Sequence, residues 1–182
     1  IEFYSTAKKY GVKPIIGIEA YVAPGSRFDK DPKNRWPHHL TLLAQNETGY
    51  RNLLKLSTAS HLEGFYYRPR MDKELLEAHS EGLIALSGCP SGEFMSALRE
   101  DDERKAMEVA SWFRDVFQDR YYLEVMEHGI EQFTPLMPRV FDVAEKMGLP
   151  TVVTNDSHYT GPGDVRAHEV LLCIGSNSTV HD

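Results

Sequence analysis

The sequence predicts an α/β fold built on a largely parallel sheet or barrel, and three observations lead there. Short apolar runs rich in β-branched residues recur along the chain. Stretches with apolar residues at helical spacing separate them. Glycine, proline and asparagine punctuate the joints, giving strand and helix in alternation with one hairpin. At 182 residues the chain is long enough for one domain with a substantial core.

Residues 3–10 read as a helix that Gly11 stops. Residues 14–22 form an apolar strand, and the Gly-, Pro- and Asp-bearing stretch 23–37 has to be a loop. A second strand covers 39–44, returning antiparallel to the first, and 49–62 is helical. Residues 71–79 read as helix and 82–86 as strand. A long helical pattern over 93–117 carries a charge cluster at 99–102, where it is expected to break. Then come a strand at 121–126, a helix at 130–147, a buried strand at 151–154 and a last helix at 164–173. The chain opens on Ile1, already in a helical pattern, and stops at Asp182 without a terminal signal, so both ends are expected to be cut.

Hydrophobic residues make up 41% and charged residues 26%, ordinary for a globular protein. The net charge of −7 argues against a broad nucleic-acid-binding surface, though not against nucleic acid at a local site where metal ions supply positive charge. No apolar run approaches the ~20 residues that span a bilayer. Two cysteines, Cys89 and Cys173, make no disulfide framework, and a reducing cytoplasm is the expected location.

Chemistry-bearing residues gather at the ends of the strands. In Thr154-Asn155-Asp156-Ser157-His158 an extended chain would point Asp156 and His158 to the same side, a carboxylate and an imidazole suited to a divalent cation. The same two residues would equally serve as a helix cap and a surface histidine. Glu19 ends an apolar strand, where a carboxylate needs a partner or a wet face. The hairpin would bring His39 beside Glu19, and its neighbour His38 competes for that place on spacing alone. Cys89 follows the apolar run 83–86, either as a small buried hydrophobe or as a thiolate ligand that would favour zinc. His128 has a lesser claim, and His61, His79 and His168 fall on helical segments. Carboxylate, imidazole, thiolate and Asp-x-His at four strand exits make a metal-site composition.

With those residues in view, the sequence resembles the polymerase and histidinol phosphatase (PHP) domain of bacterial DNA polymerase III alpha subunits, the family C replicative polymerases. The resemblance rests on Gly17-Ile18-Glu19-Ala20-Tyr21-Val22, on His39-Leu40-Thr41-Leu42-Leu43-Ala44-Gln45-Asn46 and on Gly49-Tyr50-Arg51-Asn52-Leu53. It continues through Leu86-Ser87-Gly88-Cys89-Pro90-Ser91-Gly92-Glu93 and Thr154-Asn155-Asp156-Ser157-His158-Tyr159, so it spans the chain. It implies a distorted (β/α)7 TIM-like barrel with up to three divalent ions at one mouth, zinc or else manganese or magnesium. The family's metal ligands carry over onto Glu19, His39, Cys89, Asp156 and His158, with His39 preferred to His38. It further implies that residues 1–182 are a PHP domain piece, that the family's opening His-x-His motif precedes Ile1, and that polymerase domains follow Asp182.

The activity implied is DNA-directed DNA synthesis by the parent, with metal-dependent 3′–5′ exonuclease proofreading in this domain. Asp156 and Glu19 would be its catalytic carboxylates, anchoring or bridging ions during phosphodiester hydrolysis. The implied partners are DNA, a proofreading exonuclease subunit and the sliding clamp, with no membrane. The isolated piece is expected to be inactive. A free-standing PHP phosphatase and a non-catalytic scaffold that docks the proofreading subunit are the rival readings.

Overall fold

The structure is a computed structural model, and it describes residues 1–126 and 128–181; Glu127 and Asp182 lie outside the described residues. Six strands are present: β1 Gly17–Val22, β2 His38–Ala44, β3 Arg70–Met71, β4 Leu83–Leu86, β5 Tyr121–Val125 and β6 Thr151–Val153. They make one sheet in the order β3-β1-β2-β4-β5-β6. β1 pairs antiparallel with β2, and β2 antiparallel with β4, while the β1–β3, β4–β5 and β5–β6 pairs are parallel. β2 is therefore the single reversed strand, and the other five point the same way.

Alternation gives the sheet two unlike faces. Ala20, Val22, Leu40, Leu42, Leu83, Ala85, Tyr121, Leu123 and Val125 belong to the hydrophobic core. In β1 and β2 the positions between them are Glu19, Tyr21, His39 and Thr41, and in β5 Glu124 falls between two core residues. The apolar face is covered by helices. Of α1 Glu2–Lys9, α2 Glu47–Leu62, α3 Lys73–Ala78, α4 Glu93–Arg99, α5 Glu103–Phe117, α6 Met137–Met147 and α7 Val165–Ser176, the five from α2 to α6 bury residues against it. Leu53 and Leu56 of α2, Phe113 and Phe117 of α5, and Val140 and Val143 of α6 fill the core beneath it. Neither α1 nor α7 buries a residue. Among the described residues no helix is long and apolar enough to cross a membrane.

Local chemistry sets the helix ends. Asn46, Asp72 and Asp102 each accept a backbone N–H from the first turn of α2, α3 and α5. The charge cluster after Arg99 does break the long helical pattern, and Asp101 turns the chain with φ of 61°. Four expectations change. β1 begins at Gly17 instead of 14, and Ile15 before it is 58% accessible. Met71 belongs to β3, a two-residue strand too short to show a period, and the helix starts beyond the Asp72 cap. α6 starts at Met137 instead of 130, after a 3₁₀ turn holding Pro135. β6 is exposed rather than buried, with Val153 78% accessible.

Loop 24–37 has little apolar content and is held by polar contacts, among them Arg27 to the Asp72 carboxylate, Lys30 to the Phe65 carbonyl and, most extensively, Arg70. Arg70, fully buried, donates to the carbonyl oxygens of Arg27, Asp29, Asn34 and Gly64 at 2.5–3.3 Å. A guanidinium with its donors spread over four acceptors meets the requirement that buried charge be hydrogen-bonded.

Candidate metal centre

The β1–β2 register places Tyr21 opposite His39 and Glu19 opposite Thr41, so Glu19 and His39 are diagonal neighbours on the polar face. Glu19 Oε1 lies 2.6 Å from His39 Nδ1. Cys89 arrives from β4 through a turn in which Gly88 has φ of +88°. A Cβ at Gly88 would stand 2.5 Å from the His39 carbonyl oxygen, so only glycine lets the two backbones meet this closely. The turn sets Cys89 Sγ 3.3 Å from His39 Nδ1 and 3.7 Å from Glu19 Oε1.

The ligand atoms of Glu19, His39 and Cys89 all lie within 4.8 Å of one another. They come from the middle of β1, where Glu19 was expected at the strand's end, from the start of β2 and from the turn after β4, spread over 70 residues of sequence. Burial pushes the Cys89 thiol up, and the carboxylates of Glu19 and Asp156 add to that. Alternation along β2 sends the next side chain to a different place. His38 lies beside Lys73, Glu93 and Glu100, and burial lowers its affinity for a proton.

Asp156 and His158 follow β6 on the loop and line a neighbouring cleft of about 780 Å³ together with Pro90, His128 and His168. Among the described residues, the close cluster contains Glu19, His39 and Cys89, without these two. His158 Nδ1 is 2.9 Å from the Asp156 carbonyl oxygen, which can only accept. That contact suits a ring carrying a proton on Nδ1, the tautomer whose Nε2 lone pair can ligate a metal. His168, expected at the surface of a helix, packs its ring 5.6 Å from that of His158. His61 and His79 stand apart on or beside helices α2 and α3, as expected of helical histidines.

Glu124 was not anticipated from the sequence. It is buried, with Oε1 accepting from Thr154 Oγ1 at 2.6 Å and Oε2 from the Gly88 N–H at 3.1 Å and Thr41 Oγ1 at 3.4 Å. Its own N–H donates to Ser87 Oγ at 2.9 Å. One carboxylate thereby ties β2, the β4 exit and the β6 exit together under the ligand residues. Burial raises its proton affinity, and the three hydrogen bonds pull it back.

A carboxylate oxygen, an imidazole nitrogen and a thiol sulfur converging within 4.8 Å are a donor set that suits zinc or a similar borderline ion. Fold and site together define an α/β domain with a candidate metal centre at its strand ends. The PHP domain family model matches residues 1–128, and the chain belongs to that family. The chain is also similar to DNA polymerase III subunit alpha from several bacteria. Identity is 43% over 203 aligned residues with the protein of Saccharopolyspora erythraea, 45% over 184 with that of Borreliella burgdorferi and 44% over 185 with that of Thermus aquaticus. Each match covers 100% of this chain and 15–17% of the relative, so the chain is homologous to a stretch of a much longer protein.

Proposed function

We propose that this PHP domain binds divalent metal ions at its strand ends and hydrolyses the 3′-terminal phosphodiester bond of DNA, as the 3′–5′ exonuclease of a DNA-directed DNA polymerase. The observation that carries the reading is the convergence of Glu19, His39 and Cys89. Asp156 and His158 complete the ligand set from the adjoining loop, and residues 1–182 act as one domain piece. The polar face that holds Glu19, Tyr21, His39, Thr41 and Glu124 suits the inside of a distorted (β/α)7 barrel. Its mouth would hold up to three ions, zinc with manganese or magnesium.

Bound ions would supply positive charge for the scissile phosphate and lower the pKa of the attacking water. The chain's own residues then have distinct tasks. Glu19 and Asp156 contribute the anionic charge that holds the cations, and Glu19 Oε1 is already within reach of two other ligands. His158, its Nδ1 turned to the Asp156 carbonyl, offers Nε2. Cys89 must lose its proton to ligate, which couples binding to proton release. In the whole protein the partners would be DNA, a proofreading exonuclease subunit and a sliding clamp, in the cytoplasm.

The test is a cobalt titration of this chain followed by absorption. A thiolate-to-cobalt band that disappears in Cys89→Ser supports the centre; no cobalt bound at equilibrium would overturn it.

A further inference from the structure

Beside the metal cluster runs a second, open feature that the ligand chemistry does not use. A cleft of about 500 Å³ has His39 on its wall and Trp36, Arg68 and Arg99 around it. A smaller groove of about 290 Å³ is lined by Arg35, Trp36, Tyr67 and Arg68, so the two share Trp36 and Arg68. Trp36 is 72% and Tyr67 68% exposed, so both rings offer a face to solvent beside the clefts.

We propose that this surface seats the terminal nucleotides of single-stranded DNA, with Trp36 and Tyr67 stacking on bases and Arg35, Arg68 and Arg99 facing the phosphates. The inference rests on the exonuclease reading for its substrate and on four local observations for its place. Exposed aromatic rings interleaved with cations are the recognition chemistry of single strands, whose bases have free faces, whereas a closed duplex hides those faces in its stack.

The three arginines have no carboxylate partner among the described residues. Arg35 lies 4.8 Å over the Trp36 ring and Arg68 5.8 Å over the Tyr21 ring. Glu100 sits on the same cleft wall and sets the limit of its positive charge.

The platform is also fixed in place. Arg70 holds the Asn34 carbonyl, two residues before Trp36. Tyr67 is the apex of a tight turn closed by the Tyr66 N–H on the Arg68 carbonyl at 3.0 Å, and it carries φ of +57°. A bulky residue held in the left-handed region is a strained arrangement of the kind found at ligand sites.

Finally, the surface is continuous with the metal cluster. The Arg68 guanidinium lies over Tyr21, Tyr21 meets the His39 ring edge-on at 5.1 Å, and His39 Nδ1 is in the cluster. A strand lying on Trp36 would thus run toward the ligand residues.

The experiment is fluorescence anisotropy of this chain with a fluorescein-labelled thymidine decamer, in EDTA and at several salt concentrations. The decamer should bind better than a duplex of the same length and quench the emission of Trp36, one of only two tryptophans in the chain. Trp36→Ala should raise Kd about tenfold, as expected for losing one base stack, while Trp36→Phe keeps most of the affinity. Arg68→Ala should reduce the slope of log Kd against log salt by about 0.7, one phosphate contact on a single strand. Unchanged affinity in Trp36→Ala, or a duplex bound as well as the decamer, overturns the proposal. Because this binding is read without metal, the two readings separate. If the full-length protein binds the decamer through Trp36 yet never cleaves it with metal supplied, the exonuclease reading fails and the cleft stands.

Discussion

The Gly88 N–H donates to Glu124 Oε2 at 3.1 Å across 36 residues of sequence, and it anchors the turn that delivers Cys89 to His39. The same carboxylate accepts from Thr154, two residues before Asp156, and from Thr41, two after His39. Three approaches to the candidate centre therefore share a single acceptor.

Glu124→Ala should cost about 2–4 kcal/mol, because several buried donors lose their acceptor at once. Glu124→Gln keeps one acceptor oxygen for Gly88 and should cost far less. Urea unfolding of both variants measures the difference.

The pH dependence of that comparison has a definite sign. Burial raises the Glu124 carboxyl in the folded chain, so folding favours its protonated form. Its contribution is greatest below the unfolded value of about 4.3 and is lost as pH rises through the higher folded value. The stability of the native chain relative to Glu124→Gln should therefore fall as pH rises above the unfolded value of about 4.3. A flat difference above that value would contradict a raised carboxyl.

Gly88→Ala tests the close approach of the turn. The positive φ alone costs about 1–2 kcal/mol for a residue with a Cβ, and that Cβ meets the His39 carbonyl. Thermal melting should show the loss, and cobalt binding through Cys89 should weaken further than the melting shift explains.

Tyr121→Phe should leave the chain as stable or raise its stability by about 1 kcal/mol. The Tyr121 hydroxyl is fully buried with no hydrogen-bond partner among the described residues, and its ring keeps its stack on Phe113 at 5.3 Å. Differential scanning calorimetry suffices, and a lower melting temperature would reveal an unseen partner for the hydroxyl.

In the full-length protein, Asp156→Asn should abolish metal-dependent 3′–5′ exonuclease activity while DNA synthesis continues. The amide keeps the carboxylate's shape but not its charge, and hard or borderline cations bind it far less tightly. His38→Ala should have the smaller effect, since that ring lies away from the cluster. A folded variant with full exonuclease activity would remove Asp156 from the site.

Much of this arrangement was legible in the residues. Apolar alternation and the proline- and aspartate-bearing loop 23–37 specify the β1–β2 hairpin, and the hairpin makes Glu19 and His39 neighbours. A charge cluster is enough to break α4 from α5. Glu124 was invisible because one carboxylate in an alternating strand looks like a wet position, and only the fold reveals that its face is covered. Arg70 misleads in the same way, since an arginine between Pro69 and Met71 carries no signal of complete burial. The Trp36–Tyr67 platform joins two loops whose proximity depends on that arginine, so no spacing rule finds it.

Arg70, with Asp72 beside it, ties loop 24–37 to one short strand edge. The guanidinium belongs to β3, whose pairing with β1 spans only Tyr21–Arg70 and Val22–Met71. Until that short edge docks, the carbonyls of Arg27, Asp29 and Asn34 have no shared donor, and the Arg27 side chain lacks its Asp72 partner. The loop's shape therefore depends on the pairing of β3 with β1 as much as on its own residues. In evolution it is free to change nearly every outward side chain, provided one inward cation and a row of backbone oxygens stay where they are. A surface of that kind can be retuned for a new ligand without the sheet beneath it registering the change.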